Sequence, residues 1–223
     1  MPKTTIACPC YKDGVPKIVD PDERRRAVAE AVFRVVGREG LEQASLRNVA
    51  AEAGLAIGSV RHYFAGHTEL MVFAMREMSG RLMARLTVHA DRLLNPPTPL
   101  PPAERRETVV RMLAELLPLD DQRRAEVIVW LSFVAAARTR PELRTHADEL
   151  YDGLLTLTTR ILQGAHRDYR LHPNTDIPTE ARRLCALIDG LALEAAFHPT
   201  RLDTPTMLTV LRTHLTTLTP LAK

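Results

Sequence analysis

Side chains that can bind phosphates and base edges are concentrated in residues 45–70, which read SLRNVAAEAGLAIGSVRHYFAGHTEL. Guanidinium, hydroxyl and imidazole groups make the hydrogen bonds through which proteins contact DNA. The candidates in this stretch include Arg47, Ser59, Arg61 and His62. Such side chains read DNA only when an element carries them into a groove, so the surrounding pattern decides what they do.

That pattern predicts two short helices joined by a tight turn. Ser45 is suited to cap a first helix whose apolar positions recur at helical spacing. Gly54 ends this helix because glycine tolerates a positive φ. A second helix begins near Ala56 and Ile57 and turns Val60 inward. Two short helices around a glycine turn form a helix-turn-helix, whose second helix fits the major groove. The sequence therefore predicts a DNA-binding module.

The same stretch resembles the TetR/AcrR family of bacterial regulators. The family pattern is matched by Gly40-Leu41, Ser45, Val49-Ala50, Ala53-Gly54-Leu55, Gly58-Ser59-Val60, Tyr63-Phe64 and Leu70. Three positions differ: Ala56 replaces the usual Ser or Thr cap, Arg61 replaces a frequent Tyr, and His67 replaces a frequent Lys. A later segment, LIDGLAL at residues 187–193 followed by His198-Pro199, is similar to the C-terminal domain of BetI-type members.

The resemblance implies an all-α fold of about nine helices, with a three-helix helix-turn-helix domain followed by a helical bundle for ligand binding and dimerisation. The domains implied are a flexible arm at residues 1–19, a DNA-binding domain at 20–66 and a ligand-binding and dimerisation domain at 67–223. The DNA contacts implied are Ser45, Arg47, Ile57, Gly58, Ser59, Arg61, His62, Tyr63 and His67. The implied partners are a palindromic operator, an unidentified small molecule and a second copy of the chain.

Composition and motif content limit the other classes of protein to which the chain could belong. The net charge of +3 does not by itself indicate nucleic-acid binding, and no apolar run is long enough for a membrane span. Residues 1–21 lack the features of a signal peptide, so a cytoplasmic protein is predicted. Cys8, Cys10 and Cys185 cannot form a disulfide framework and read as ordinary thiols. No catalytic motif is present, so no enzyme, cofactor or metal site is predicted.

Helical periodicity continues to the end of the chain. A long helix is predicted at residues 66–94, where it joins the DNA-binding module to the rest of the chain. The proline-rich segment NPPTPLPP at residues 95–102 ends it. Further helices are predicted at 103–117, 121–139, 141–169, 178–197 and 204–218.

Two of these helices, 178–197 and 204–218, carry apolar stripes that predict a four-helix dimer interface. The predicted interface residues are Leu184, Leu187, Ile188, Leu191, Ala195, Met207, Leu208, Leu211 and Leu215. The alternative is that these residues are buried inside the monomer.

A ligand pocket is also predicted in this half of the chain. Its candidate lining residues are Met112, Leu116, Val127, Trp130, Leu131, Phe133, Val134, Tyr151 and Leu155, with His89 or Asp189 as polar groups. The alternative for each of them is core packing.

The predicted mechanism is allosteric. A small molecule favours a conformation in which helix 66–94 has pivoted, so that two recognition helices no longer match half-sites one helical turn apart. The protein is then a repressor released from its operator. The alternatives are an activator, a DNA-binding protein without an effector, and a helical carrier or enzyme that does not bind DNA.

Overall fold

The computed structural model describes residues 21–168 and 170–219, and all regular elements within these ranges are helical. The predicted all-α fold class is therefore confirmed. The predicted arm at residues 1–19, which contains Cys8 and Cys10, lies outside the described residues. Among the described helices, none combines the length and the hydropathy that a bilayer-spanning segment needs.

The N-terminal helices pack around the first of them. Helix α1 covers Pro21–Glu39, a 3-10 turn covers Leu41–Gln43, and α2 and α3 cover Leu46–Glu52 and Ile57–Tyr63. Gly40 ends α1 with a φ of 87°, a conformation that glycine adopts without the clash of a Cβ. The chain therefore turns sharply here, and α2 packs against α1.

Longer helices make up the rest of the described chain. They are α4 (His67–Leu94), α5 (Pro102–Ala114), α6 (Asp121–Ala137), α7 (Pro141–Arg167), α8 (Ile177–Phe197) and α9 (Thr204–Thr217). Helices α5, α7, α8 and α9 have proline in the first turn, where its missing N–H costs no hydrogen bond. The predicted helices are all present, although α5 ends before residue 117 because the chain continues in tighter turns.

One hydrophobic core joins the DNA-binding module to the bundle. Buried side chains of α1, α2, α3 and the first half of α4 pack with Val129, Phe133 and Ala137 of α6 and with Leu143 of α7. Each such side chain contributes about 1.5–3 kcal/mol when fully buried. The core therefore crosses the predicted domain boundary at residues 66 and 67.

Helices α5, α6, α8 and α9 enclose a second core, which contains most of the residues predicted for the dimer interface. The predicted residues buried in it are Leu184, Ile188, Leu191, Ala195, Met207, Leu211 and Leu215. Leu187 and Leu208 are half-buried against the same core. Within one chain these nine residues pack as the alternative describes, and the dimer interface itself stays a prediction. Apolar residues at helical spacing indicate that one face of a helix is buried, but they do not indicate whether the same chain or a second copy packs against it.

Two polar contacts hold α4 and α7 against the N-terminal helices. Arg81 of α4 pairs with Glu30 of α1, and its guanidinium lies 5.1 Å from the centroid of the Phe33 ring. Arg140, which precedes α7, donates hydrogen bonds to both carboxylate oxygens of Glu42 at 2.7 and 2.8 Å. Exposed pairs contribute little free energy, but they restrict the orientation of the elements they join.

Candidate DNA-binding surface and ligand cavity

The turn between α2 and α3 has the geometry that the sequence predicts. The Ser45 hydroxyl accepts a hydrogen bond from the backbone N–H of Asn48 at 3.2 Å and caps α2. Gly54 has a φ of 66°, and the next N–H, that of Leu55, donates to the Ala50 carbonyl at 2.9 Å. The turn therefore satisfies a carbonyl at the end of α2 before α3 begins.

Helix α3 is fixed to the protein through aromatic packing at its C-terminal end. Val60 and Phe64 are buried, and the Phe64 ring lies 5.2 Å from that of Phe73 on α4. The guanidinium of Arg25 lies 5.7 and 5.0 Å from these two ring centroids. A cation over two aromatic faces stabilises this packing. Arg25 thus packs against the rings that hold α3.

A charged cluster fixes α2 to α1. The Nε of Arg34 lies 2.6 Å from Oε1 of Glu52, and Nη2 of Arg38 lies 2.9 Å from the other carboxylate oxygen. The hydrogen bonds from Arg34 and Arg38 lower the pKa of Glu52. The carboxylate is therefore ionised at neutral pH and holds both arginines on the α1 side of the module.

The starts of α3 and α4 are capped differently. Ala56 offers no side-chain acceptor, so α3 begins without a side-chain cap. Ahead of α4, the backbone N–H of Ala65 donates to Oε2 of Glu69 at 2.7 Å. The Nε2 atom of His67 lies 3.4 Å from the Leu41 carbonyl oxygen, so this imidazole contacts the 3-10 turn.

An apolar cavity of about 420 Å³, which we call the central cavity, lies between α4, α6, α7 and α8. Its apolar lining consists of Met78, Leu82, Met83, Leu86, Leu116, Val127, Trp130, Leu150, Leu154, Leu157, Ile188 and Ala192. Cavities of roughly 300–1,000 Å³ with such linings are the usual small-molecule sites of proteins. The cavity is therefore the candidate ligand site.

Most of the charged groups that line the central cavity neutralise each other. Nη2 of Arg85 lies 2.6 Å from Oε2 of Glu126, and Nε of Arg85 lies 3.0 Å from Oε2 of Glu115. Nη1 of Arg123 lies 3.1 Å from the same Glu115 oxygen. This four-residue network ties α4 to α6 and to the end of α5.

Asp189 is the half-buried charged group of the central cavity that lies outside this network. No described residue forms a hydrogen bond or ion pair with its carboxylate, and burial raises its pKa. Glu149 is exposed, and its Oε2 lies 3.3 Å from Nδ1 of His146. Arg160 also lines the cavity but is exposed to solvent. The central cavity therefore contains one half-buried carboxylate without a compensating charge.

Comparison with known proteins identifies the family. The sequence model described as "BetI-type transcriptional repressor, C-terminal" matches residues 105–220. The HTH-type transcriptional regulator PksA of Bacillus subtilis (strain 168) is 35% identical over 201 residues, which cover 90% of this chain and 92% of PksA. The chain belongs to the TetR family of transcriptional regulators. This confirms the resemblance seen in the sequence, and the family is not one of enzymes.

Solved TetR-family structures share the fold. A transcriptional regulator from Rhodococcus sp. Rha1 has a TM-score of 0.72 and 29% identity, over 87% of this chain and 95% of that chain. The multidrug binding protein EbrR in complex with ethidium has a TM-score of 0.59 and 32% identity, over 89% of this chain and 99% of EbrR. Relatives of this chain therefore include a protein solved with a bound ligand.

The nine residues predicted for DNA contact in this TetR-family chain differ in exposure. The exposed ones are Arg47, Gly58, Arg61 and His62. The half-buried ones are Ser45, Ile57, Ser59, Tyr63 and His67. Ile57 and Tyr63 pack against the N-terminal core, so part of each side chain faces inward. The first group therefore supplies the accessible donors of α2 and α3.

The pocket prediction is only partly matched by the central cavity. Leu116, Val127, Trp130 and Asp189 line it. The other candidates do not line this cavity. Three of them pack in hydrophobic clusters (Phe133, Leu131 and Leu155), and two are 38% and 39% exposed (Val134 and Tyr151). Met112 lines a second cavity, and His89 contacts Glu115. The missed residues include Arg85 and Glu126, whose 41-residue separation gave no sequence signal.

Helix α8 has an apolar surface on its outer side. Ala186, Gly190, Leu193 and Phe197 are exposed at helical spacing, and Leu193 and Phe197 are 49% and 67% exposed. We call these four residues the outer stripe of α8. It lies on the opposite side of the helix from the core residues that the sequence predicted to form the interface.

Proposed function

We propose that this TetR-family chain is a homodimeric cytoplasmic repressor that leaves a palindromic operator when a small molecule occupies the central cavity. One observation carries the proposal: helices α4 and α6 each contribute side chains to the central cavity and to the core of the DNA-binding module. On α6, Trp130 lines the cavity while Phe133 lies in the core of the DNA-binding module. On α4, Leu82 lines the cavity while Leu70 lies in that core. A ligand that shifts these helices moves α3, with a typical coupling of about 1–3 kcal/mol.

Selection of genomic fragments by the purified protein tests the DNA-binding half of the proposal. A palindromic site that is bound tightly, with an affinity that falls steeply with salt, supports it, because phosphate contacts release counterions. Absence of any specific fragment without a ligand contradicts a repressor that is released by its effector. Release of the bound fragment by a ligand of the central cavity supports the allosteric half.

Replacing Arg61 with alanine is expected to weaken operator binding about tenfold, within the roughly 1–3 kcal/mol of a good guanidinium contact. Arg61 is exposed on α3, and no described residue pairs with it, so the fold and the dimer are expected to be unchanged. Titration of the selected fragment measures the loss. A uniform loss across sequences indicates a phosphate contact, and relaxed specificity at one position indicates a base contact.

The matched control for Arg61 is Arg144, which is also exposed and without a partner among the described residues but lies on α7. Arg144→Ala is expected to leave operator affinity unchanged. Equal operator affinity in wild type and Arg61→Ala rejects this assignment.

We propose a flat lipophilic cation as the ligand class of the central cavity. The uncompensated carboxylate of Asp189 attracts a positive charge, and the Trp130 ring offers an aromatic face to a cation. The surrounding apolar walls favour a hydrophobic body. EbrR, which is 32% identical, was solved with ethidium, a molecule of this class.

Asp189→Asn is expected to lower the affinity for ethidium about tenfold, or about 1.4 kcal/mol, and to raise the free energy of unfolding at neutral pH. Because burial raises the pKa of Asp189 in the folded state, the folded chain holds this proton to a higher pH than the unfolded chain. Stability therefore falls as pH rises between the two pKa values, and asparagine removes that fall. In the wild type, ethidium affinity is expected to fall as pH drops through the pKa of Asp189.

Glu149→Gln is the control for Asp189, because Glu149 lines the same cavity but is exposed and lies beside His146. We expect ethidium affinity to change by no more than about twofold, as for other exposed charges. Titration of Trp130 fluorescence measures both variants, since the chain has a single tryptophan. Unchanged affinity in Asp189→Asn excludes a cation held by this carboxylate.

A further inference from the structure

A second cavity, of about 800 Å³, lies between the end of α4, α5, the second half of α7 and α9. Its lining includes Met112, Leu162, Leu171, Leu215 and Leu218, all of which are buried. The proposed function assigns no role to it. The volume is within the range of about 300–1,000 Å³ that is usual for small-molecule sites.

Arginines dominate the charged lining of this second cavity, which we call the arginine-lined cavity. They are Arg105, Arg106, Arg160, Arg167 and Arg170, and the acid among the lining residues is Asp168. Asp168 pairs with Arg170, and Nη1 of Arg105 donates to the Leu93 carbonyl at 3.0 Å. The other three have no hydrogen-bond or ion-pair partner among the described residues.

The chain is rich in arginine, so exposed arginines alone indicate little. The contrast between the two cavities is informative, because three arginines face four acids in the central cavity, whereas five face one acid in the arginine-lined cavity. Elsewhere on α5 and α9 the chain does pair its arginines: Arg212 donates to both carboxylate oxygens of Glu107 at 2.9 and 3.0 Å. The arginine-lined cavity thus has an excess positive charge above an apolar floor.

DNA is a poor candidate for the ligand of these arginines. Helix α4 begins at His67, beside the DNA-binding module, and Leu93 at its other end lines the arginine-lined cavity. At ~1.5 Å per residue, the length of α4 places the two about 39 Å apart.

We propose that the arginine-lined cavity binds a free amphiphile with an anionic head and an acyl chain. Guanidinium groups match carboxylate and phosphate oxygens in paired hydrogen bonds, and unpaired arginines supply that match without breaking an existing ion pair. The apolar floor accepts the chain, because burying its CH₂ groups removes apolar surface from water. The site is distinct from the central cavity, although Arg160 and helices α4 and α7 contribute to the lining of both.

Three decyl compounds that share one tail test the proposal with the full chain. Calorimetry is carried out with decyl phosphate and decyltrimethylammonium below their micelle concentrations and with decanol below its solubility limit. It is expected to show binding of the phosphate at least about tenfold tighter than that of the other two. Equal binding of decanol means that the arginines contribute nothing and overturns the proposal. Binding to vesicles that contain anionic lipid, with no binding of monomeric decyl phosphate, also overturns it, because the ligand is then a membrane surface.

Paired variants locate the site. Arg106→Glu combined with Arg167→Glu is expected to weaken decyl phosphate binding at least about tenfold, whereas Arg201→Glu, at an exposed position after α8, is expected to have no effect. Gly164→Leu is expected to block the site without harming α7, because a Cβ at this lining position meets no atom within 4 Å and leucine is the better helix former.

The single tryptophan separates the two cavities. Trp130 lines only the central cavity, so decyl phosphate is expected to leave its fluorescence unchanged, and ethidium is not expected to displace decyl phosphate. Quenching of Trp130 by decyl phosphate together with displacement by ethidium places the amphiphile in the central cavity and overturns the proposal. If ethidium does not bind, quenching of Trp130 by decyl phosphate alone overturns the proposal, so the test does not depend on the proposed function.

Discussion

Replacing Leu193 and Phe197 together with glutamate is expected to give a folded monomer whose affinity for a two-half-site operator is about 10²–10⁴-fold lower. These two side chains are the large members of the outer stripe of α8 and are 49% and 67% exposed. Gly190 and Ala186 on the same stripe allow another helix to approach closely. A monomer presents one recognition helix and loses the gain that comes from linking two binding events.

Sedimentation measures the mass, and titration of the palindromic fragment measures the affinity. Val88→Glu is the control, because Val88 is 69% exposed on α4 and lies away from the outer stripe. This variant is expected to remain dimeric. A dimer that persists in the double variant places the interface on another surface. If the control also becomes monomeric, general loss of solubility or packing explains the effect.

Gly153→Leu is expected to abolish the ligand response while leaving operator affinity unchanged. Gly153 lines the central cavity on α7, and a Cβ there meets no atom within 4 Å. The leucine side chain therefore occupies space that a ligand needs, and a clash of up to about 3 kcal/mol lowers ethidium affinity by about 10²-fold. Glycine is about 0.8–1.0 kcal/mol worse than alanine inside a helix, so the substitution does not weaken α7.

Fluorescence of Trp130 measures ethidium binding, and release of a labelled operator measures the response. Gly164→Leu is the matched control on the same helix, because Gly164 lines the arginine-lined cavity. It is expected to bind ethidium as the wild type does. If Gly153→Leu still releases the operator with ethidium, the effector binds outside the central cavity. If Gly153→Leu fails to bind the operator without any ligand, cavity filling itself favours the released conformation.

Local chemistry made the helix-turn-helix predictable from the sequence. Ser45 caps α2 and Gly54 adopts a positive φ through interactions that span only a few residues. The helix start at Pro141 was predictable for the same reason, since the ring of proline fixes its own φ. Such features depend on residues that are close in the sequence, so they can be predicted from a short stretch of it.

The sites in the bundle were less predictable because they depend on contacts between distant segments. The apolar periods of α8 and α9 correctly indicated buried faces, but they did not reveal that the cover comes from α5 and α6 of the same chain. Trp130 and Phe133 were predicted to share a pocket, but of the two only Trp130 lines the central cavity, and both side chains pack in the core of the DNA-binding module. The central network of Arg85, Glu115 and Glu126 joins three segments and has no local signal.

The contact of α6 with both the central cavity and the core of the DNA-binding module has a consequence for how new ligand specificities arise. Trp130 lines the central cavity and also packs, with Phe133, in the core of the DNA-binding module, so sequence drift on α6 changes recognition and module stability together. The α7 wall differs, because Gly153 and Thr156 line the cavity and are also open to solvent. Mutations there are tolerated by the fold. We therefore expect specificity to diversify along α7 among close descendants while α6 changes slowly.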